Sequence, residues 1–479
     1  MPIRVADILQ SLRKHKDSHG FRDLPRQGCR SGSSVYLLYS LATAVVLVAC
    51  APYFLYQALR HSKYIGSLRQ RLGYLPVSLN LDAEPSIWVH AVSVGEVLAA
   101  RPVIAELRKQ YPSLRLFLST TTRTGQQLAR QSVADVDGTF YLPFDWTFTV
   151  RRTLRRVRPR LFVMVESEIW PNLLRECRAG GVKTVVVNGR ISRRSFPRYR
   201  LVKRWFSRVL ADIDRFCVQG EETARRLIGL GADPARVVIT GSLKFDALQT
   251  VPVPGRGPQR VLRFFRVRPG RPVLMAGSTL RGEEEPVVRA FNRLRATPGG
   301  QGALLVIAAR HPERFAEVER LCRQEGLSTA RRTELPIDNE PRVDAVILDT
   351  IGELAHLYQI ATAVFVGGSI VPAGGHNILE PAAHGKAIVF GPHMENFSEI
   401  TETFLANDAA VRVQSEGELE EALLSLMGDP VRRARLGAAA RALVVANRGA
   451  KDKTLAAIAD VLPAIEPRSA VVRPFRVVH

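Results

Sequence analysis

Cysteine is scarce: five in 479 residues, at 29, 50, 177, 217 and 322, with no CxxC pair and one left odd. That count supports neither a disulfide framework nor a cysteine zinc site, and it fits a reducing compartment. A Walker A loop and a GxGxxG fingerprint are both absent, which disfavours ATP hydrolysis and the common NAD folds. His311, His376, His384 and His393 fall at no HxxxH or HxH spacing, so no metal site is read. Acidic residues are the other deficit. Asp and Glu number 45 against 68 Lys and Arg, a formal net charge of +23. A basic field of that size favours acidic partners: nucleic acid, anionic lipid or phosphorylated substrates. With 46% hydrophobic and 24% charged residues the chain is globular, and its length suggests two or three domains.

From Ser31 to Leu59 there is no charge at all, over 29 positions, where a membrane-crossing helix needs about 20. Tyr36, Tyr39, Tyr53 and Tyr56 gather towards its ends, as in an interfacial belt. The run is long for a signal-peptide core and is followed by more basic residues (Arg60, Lys63, Arg69, Arg71), so it reads as a retained anchor over 31–60. Both flanks are basic, so the positive-inside rule does not decide its orientation, and insertion without full crossing stays open. Residues 1–30 read as a polar extension with no assigned role.

Beyond residue 86, short apolar runs alternate with amphipathic stretches: SIWVHAV, LRLFLSTT, RLFVMVE, KTVVVNG, RFCVQG and RVVITG. TVPVPGRGPQR (250–260) interrupts as a linker by composition. The alternation then restarts with PVLMAGST, ALLVIAAR, AVILDT, TAVFVGGS and KAIVFGP. This pattern predicts parallel strands in βαβ units. The expected architecture is two doubly wound, Rossmann-like α/β domains, 61–250 and 263–479 (the latter with the C-terminal helices), joined by a linker over 251–262. Ligands then belong in the cleft between the domains, beyond the carboxyl ends of the strands.

The strand ends are rich in polar chemistry. SVGEVL (93–98) places Glu96 where a strand hands over to a helix; Ser93-x-x-Glu96 also fits a capping box. Glu166, Glu168, Trp170 and Asn172 follow another run, and Lys244 follows VVIT. GSTLRGEEE and GGHN each suggest free N–H groups at a helix start, suited to phosphate. Glu380, three residues after Asn377, could accept from both hydroxyls of a ribose, and Arg310 could pair with phosphate or stack on a base. RRTLRRVRPR (151–160) and RISRRSFPRYRLVKRWFSR (190–208) concentrate positive charge, the second interleaved with aromatics. Solvated helix faces, nucleic acid or an anionic membrane surface would each suit them, and the apolar segment favours the membrane.

Six motifs, HAVSVGEVLAARP, VESEIWPNL, GSLKFD, RHPERF, DTIGELAHLY and FVGGSIVPAGGHNILEPAAHGKAIVFGPH, together resemble the 3-deoxy-D-manno-octulosonic acid (Kdo) transferases of lipopolysaccharide synthesis. The resemblance runs from about residue 34 to the C-terminal helices and leaves residues 1–33 outside. It implies a GT-B glycosyltransferase that inverts the anomeric centre and needs no metal or other cofactor. CMP-Kdo is the implied donor and a lipid A precursor (lipid IVA) the acceptor, at the cytoplasmic face of the cell inner membrane. It implies Glu96 as catalytic base, with Glu166 and Lys244 around the transition state. Ala309, Arg310, Ile351, Gly352, Glu353, Asn377, Ile378, Leu379 and Glu380 are the implied CMP-binding positions. Ala309 stands where some relatives carry proline, which a backbone contact tolerates. Two other readings compete. One is another GT-B sugar-nucleotide enzyme or an epimerase, distinguished by its donor. The other is a membrane-tethered nucleic-acid-binding protein, disfavoured because strand-end carboxylates would repel a phosphate backbone; no nucleic acid partner is expected.

Overall fold

The computed structural model describes residues 65–463 except 167, 193–194, 249–261 and 264, together with 36, 39–43, 45 and 49. The first sheet contains β1 (Ser86–His90), β2 (Arg115–Thr120), β3 (Gly138–Tyr141), β4 (Pro159–Val165), β5 (Lys183–Gly189), β6 (Arg215–Val218) and β7 (Val237–Ile239). The second contains β8 (Val273–Thr279), β9 (Leu304–Ala309), β10 (Thr329–Arg331), β11 (Ala345–Ile347), β12 (Ala363–Val366), β13 (Ala387–Phe390) and β14 (Val411–Arg412). Their orders are β3-β2-β1-β4-β5-β6-β7 and β10-β11-β9-β8-β12-β13-β14. All pairings are parallel.

The first order reverses between β1 and β4; the second has its central reversal between β8 and β12, with β11 also inserted between β9 and the edge strand β10. At such a reversal the crossover helices on either side lie on opposite faces, which opens a crevice at the carboxyl ends of the two strands. The central strands are apolar because helices cover both of their faces; all five residues of β1 are buried. Every short apolar run named beyond residue 86 becomes a strand. Three strands have no such run, β3, β10 and β14, and all three are edges with mostly half-covered residues.

Around the first sheet pack α1 (Val94–Gln110), α2 (Thr147–Val157), α3 (Pro171–Ala179), α4 (Phe196–Leu201), α5 (Lys203–Leu210) and α6 (Leu243–Asp246). Around the second are α7 (Glu284–Arg295), α8 (Leu379–Ala383) and α9 (Pro430–Ala446), followed by α10 (Ala450–Val461). Although grouped by sequence with the second domain, α10 packs into the first. Its Ala450, Leu455, Ala457 and Ile458 join the core of Val97, Ala100, Ile104 and Leu107 from α1. Tyr111 Oη donates to Leu462 O at 2.5 Å. The Asp246 carboxylate accepts from Gly449 N at 2.9 Å and Lys451 N at 2.7 Å, satisfying free donors of the helix start. The chain thus crosses between the domains twice.

Residues 1–30 and nearly all of the expected linker lie outside the described residues, as does most of the expected anchor. Those anchor positions that are described are helical and dock on the first domain. Asn172 Nδ2 donates to Ser40 Oγ at 2.9 Å, Trp146 Nε1 donates to Thr43 Oγ1 at 3.2 Å, and Arg175 lies 4.6 Å over the Tyr36 ring. Among the described residues no helix is long and apolar enough to cross a membrane.

Candidate active site

Glu96 and Glu166 follow β1 and β4, the two strands that flank the first reversal. Ser93 is the N-cap of α1, but the expected reciprocal box does not form. Ser93 makes no side-chain cap bond; its Oγ instead donates to Glu96 Oε1 at 3.1 Å, and Val92 N donates to Glu96 Oε2 at 2.6 Å. Glu96 therefore reaches back one residue further than a box requires and is held at the mouth of the crevice. Burial pushes its carboxyl up to about 8, with the charges of Glu166 and Glu168 adding to the rise and the Val92 N–H opposing it. Glu168 is itself raised, chiefly by burial and further by Glu166. Glu96 and Glu168 thus sit in poorly solvated surroundings near the charge of Glu166, and both carboxyls are raised.

Glu166 has a left-handed backbone, φ 61°, and so does Asn188, φ 55°. The two are neighbours across β4 and β5: Val165 pairs with Val187, and Glu166 N donates to Val187 O at 2.9 Å. Non-glycine residues in this region cost energy, and such strain concentrates where function fixes geometry. Asn188 Oδ1 accepts from Leu243 N at 3.0 Å and so steadies the start of α6, the turn that carries Lys244. Its Nδ2 is buried without a partner among the described residues. Asn188 was not picked out from the sequence; the signal available there was an asparagine before a glycine at a strand end.

Lys244 joins the two domains. Its Nζ lies 3.7 Å from Glu166 Oε1, donates to Asn396 O at 3.3 Å, and sits 4.7 Å from the Phe397 ring centroid. Arg190 Nη2 adds a second bridge, donating to Glu395 O at 3.0 Å and Ser398 Oγ at 2.8 Å. Segment 395–398 of the second domain is therefore part of this site. Its sequence, ENFS, carried no motif that reasoning on spacing could find.

The second-domain positions also gather near strand ends: Ala309 closes β9 and Arg310 follows it, Ile351 to Glu353 come after β11, and Asn377 to Glu380 lie in the connection from β12 to β13. Arg310 and Ile351 are exposed. Glu353 is committed elsewhere, accepting from Arg332 Nη2 at 2.9 Å and Thr350 Oγ1 at 2.7 Å. Backbone groups of the 351–353 turn are the ones left for a ligand. Glu380 lies deep yet keeps accessible surface; burial raises its carboxyl, and Asn377 Nδ2, donating at 3.0 Å to Oε1, opposes this. Asn377 Oδ1 accepts from Leu379 N at 3.1 Å, so one N–H expected free at the start of α8 is occupied. His376 is lowered to about 4 by burial, then by Arg310 and His311, which marks a local excess of positive charge beside α8.

The GSTLRGEEE turn does not offer the anion cradle expected of it. Fully buried Glu283 takes the place of an anion. It accepts four backbone N–H bonds: Leu280 at 2.9 Å and Gly368 at 2.7 Å on Oε2, Ser369 and Ile370 both at 2.9 Å on Oε1. Gly368 adopts φ 67°, and a Cβ there would stand 2.8 Å from the His376 ring. The carboxylate and the glycine together hold the loop after β12 in shape.

Among the described residues no three His, Cys, Asp or Glu side chains are grouped to hold a metal ion.

Residues 66–247 match the family described as 3-Deoxy-D-manno-octulosonic-acid transferase (kdotransferase). The chain is 32% identical over 417 residues to the 3-deoxy-D-manno-octulosonic acid transferase of Haemophilus influenzae, covering 86% of this chain and 96% of that protein. To the enzyme of the same name from Bordetella pertussis it is 34% identical over 382 residues, covering 78% and 87%. Among solved structures, the UDP-GlcNAc 2-epimerase of Neisseria meningitidis bound to UDP-GlcNAc gives a TM-score of 0.55 at 12% identity, over 78% of this chain and 100% of that one. That likeness is one of architecture, two parallel-sheet α/β domains as in GT-B glycosyltransferases. Fold alone does not fix chemistry; near-full-length identity above 30% with the Haemophilus protein does fix kinship, and the chain belongs to the 3-deoxy-D-manno-octulosonic acid transferase family.

Proposed function

We propose that the protein transfers Kdo from CMP-Kdo to a lipid A precursor (lipid IVA), inverting the anomeric centre without a metal, at the cytoplasmic face of the inner membrane. The observation that carries the reading is Glu96: a carboxylate held by Val92 N and Ser93 Oγ at the β1/β4 reversal, raised to about 8, close enough to feel Glu166, which in turn lies 3.7 Å from the lysine that bridges to the second domain. An acceptor hydroxyl attacks the anomeric carbon while Glu96 takes its proton. The bond from that carbon to the CMP phosphate breaks, and CMP leaves with the electron pair. Attack and departure lie on opposite faces of the sugar, hence the inversion. A base whose proton affinity lies near the working pH is well matched to this task.

Lys244 supplies a fixed positive charge for the sugar carboxylate or the departing phosphate, and Glu166 supports positive charge developing at the anomeric centre. Arg310 and the backbone of Ala309 and the 351–353 turn hold the nucleotide, with Asn377 and Glu380 on the ribose hydroxyls and the adjoining Ile378 and Leu379 at the α8 start. The excess of basic groups in the first domain suits a phosphorylated, membrane-bound acceptor.

The test is transfer from CMP-Kdo to a tetra-acylated lipid A precursor in the presence of chelator, read by product mass. Product without metal supports the reading. No product, with turnover of a UDP-sugar instead, overturns it and favours the epimerase-type alternative that shares the fold.

Replacing Glu168 by Gln removes one of the charges that hold Glu96 up. The base works when deprotonated, so kcat/KM rises with pH as Glu96 ionises. In Glu168→Gln the rising limb is expected to move to lower pH, with activity gained below neutrality relative to the plateau. A pH profile from 6 to 9, about the range where Glu96 titrates, checks this; an unmoved limb separates Glu168 from the base.

A further inference from the structure

Helices α4 and α5 meet at Leu201 and Val202, which are 87% and 45% exposed. A lone exposed leucine is ordinary on a protein surface. The surroundings of this one are not. Arg198, Arg200, Lys203, Arg204 and Arg208 are all exposed around it, and none of their side chains forms a hydrogen bond or ion pair with a described residue. Many arginines elsewhere are paired, as Arg151 with Glu176 and Arg289 with Glu420, and those without a partner among the described residues, such as Arg123 and Arg160, do not surround an exposed leucine and valine at a helix junction.

The tip is also rigidly mounted. Tyr199 stacks on Phe206 at 4.6 Å, and Phe206, Val209 and Leu210 are buried in the domain. Tyr39, in the segment expected as anchor, lies 5.7 Å from Trp205 of α5, so that segment passes beside the tip. On the same segment Leu41 and Val45 are each 60% exposed, and Leu41 borders an open crevice of about 670 Å³ with Trp146, Phe148 and Arg151. Phe196 and Tyr199 of α4 pack on the same core as Trp170, two residues from Glu168, and the Tyr199 hydroxyl is raised by burial and further by the Glu168 charge, so α4 lies beside the carboxylate site.

We infer that the α4–α5 tip is a second membrane contact, in which Leu201 and Val202 enter the headgroup–acyl boundary of an anionic leaflet and Arg198, Arg200, Lys203 and Arg204 engage its phosphates. An apolar centre with a basic collar is the composition that an interfacial contact requires. A nucleic acid groove would satisfy the collar but leave the leucine in water. The contact itself follows from the surface alone; its meaning, that the site rim is held at the height of a lipid-borne acceptor, rests on the function proposed above.

The test uses the full chain with Cys29 and Cys50 replaced by Ser, leaving Cys177, Cys217 and Cys322, which are buried. Leu201→Cys carries a polarity-sensitive fluorophore; Val431→Cys, on the second domain and 77% exposed in the parent, carries the same label as a control. Both are mixed with vesicles of phosphatidylglycerol and phosphatidylcholine containing nitroxide lipid. The expected result is a blue shift and roughly twofold or greater quenching at 201 only. Arg200→Glu, Lys203→Glu and Arg204→Glu together should abolish the quenching while sedimentation with vesicles, through the anchor, persists. A label at 201 as unquenched as that at 431 on vesicle-bound protein overturns the inference. So does protein that binds no vesicles, or a label protected by single-stranded DNA and not by vesicles. Transfer activity in detergent micelles is read in parallel. Activity with an unquenched tip sinks the contact alone, and quenching without transfer sinks the functional reading alone.

Discussion

Glu96→Gln is expected to yield a folded protein whose transfer rate falls by roughly 10²–10⁴-fold, the usual contribution of a positioned base. Glutamine keeps an oxygen to accept from the Val92 N–H, and its amide N–H can donate to Ser93 Oγ in place of the bond that hydroxyl gave, so the start of α1 is preserved. What it loses is the capacity to take a proton. In the parent, kcat/KM should climb with pH and level off above about 8, as Glu96 ionises; in the variant the climb should vanish along with the rate.

A stability measurement on the same pair separates base from cap. The folded carboxyl is raised above its unfolded value near 4.3, so the ionised form is disfavoured by folding. The cost is absent below about 4.3, grows as pH rises to about 8 and is constant beyond that. Removing the charge should therefore stabilise the protein by on the order of a few kcal/mol at pH near 8 and by almost nothing at pH near 4. A variant that keeps most of its activity, or that melts lower at alkaline pH, makes Glu96 a helix-start residue and moves attention to Glu166.

Glu283→Ala is expected to be as damaging to the fold as Glu96→Gln is to the chemistry. Four backbone N–H groups, on Leu280, Gly368, Ser369 and Ile370, converge on one fully buried carboxylate. Alanine would leave all four without a partner, at roughly 1–3 kcal/mol for each buried donor. Even with water entering to answer half of them, the loss is a large share of the 5–15 kcal/mol that typically holds a domain together. Glu283→Gln should fall between, since it keeps one acceptor oxygen and turns an amide group toward the other donors. Thermal melting with CMP binding measured alongside is the check. The loop after β12 should lose order first, and with it the nucleotide. A Glu283→Ala protein melting within a few degrees of the parent would show that the loop holds itself.

The sheet cores leave strong traces in the sequence, because a parallel strand covered on both faces must be a continuous apolar run; the strand orders, with their reversals, leave none. β3, β10 and β14 left none, since an edge strand is covered on one side only and needs no such run. Glu166, directly after a fully apolar strand, and Glu96, in the first turn of the helix that follows another, could be singled out by position, but Ser93-x-x-Glu96 also reads as a capping box, and a role for either came only from the family resemblance. Glu283 was misread because its acid run looked like the first turn of a helix, and only the fold brings Gly368 to Ile370 within reach of it. Asn396 and Phe397 were silent because their part depends on Lys244 arriving from the other domain, a meeting encoded in no local pattern. The reach of α10 was hidden likewise: its partners Asp246 and Tyr111 bond to Gly449 and Leu462 across separations of 203 and 351 residues.

That last contact has a consequence during synthesis. The first sheet is complete by Ile239, yet the face covered by α10 stays open until about two hundred further residues have been made. At 5–20 residues per second this is roughly 10–40 s in which an apolar surface waits on the ribosome. The nascent first domain is therefore the stage at which this chain most needs a chaperone, and the second domain must be threaded out before the first can close.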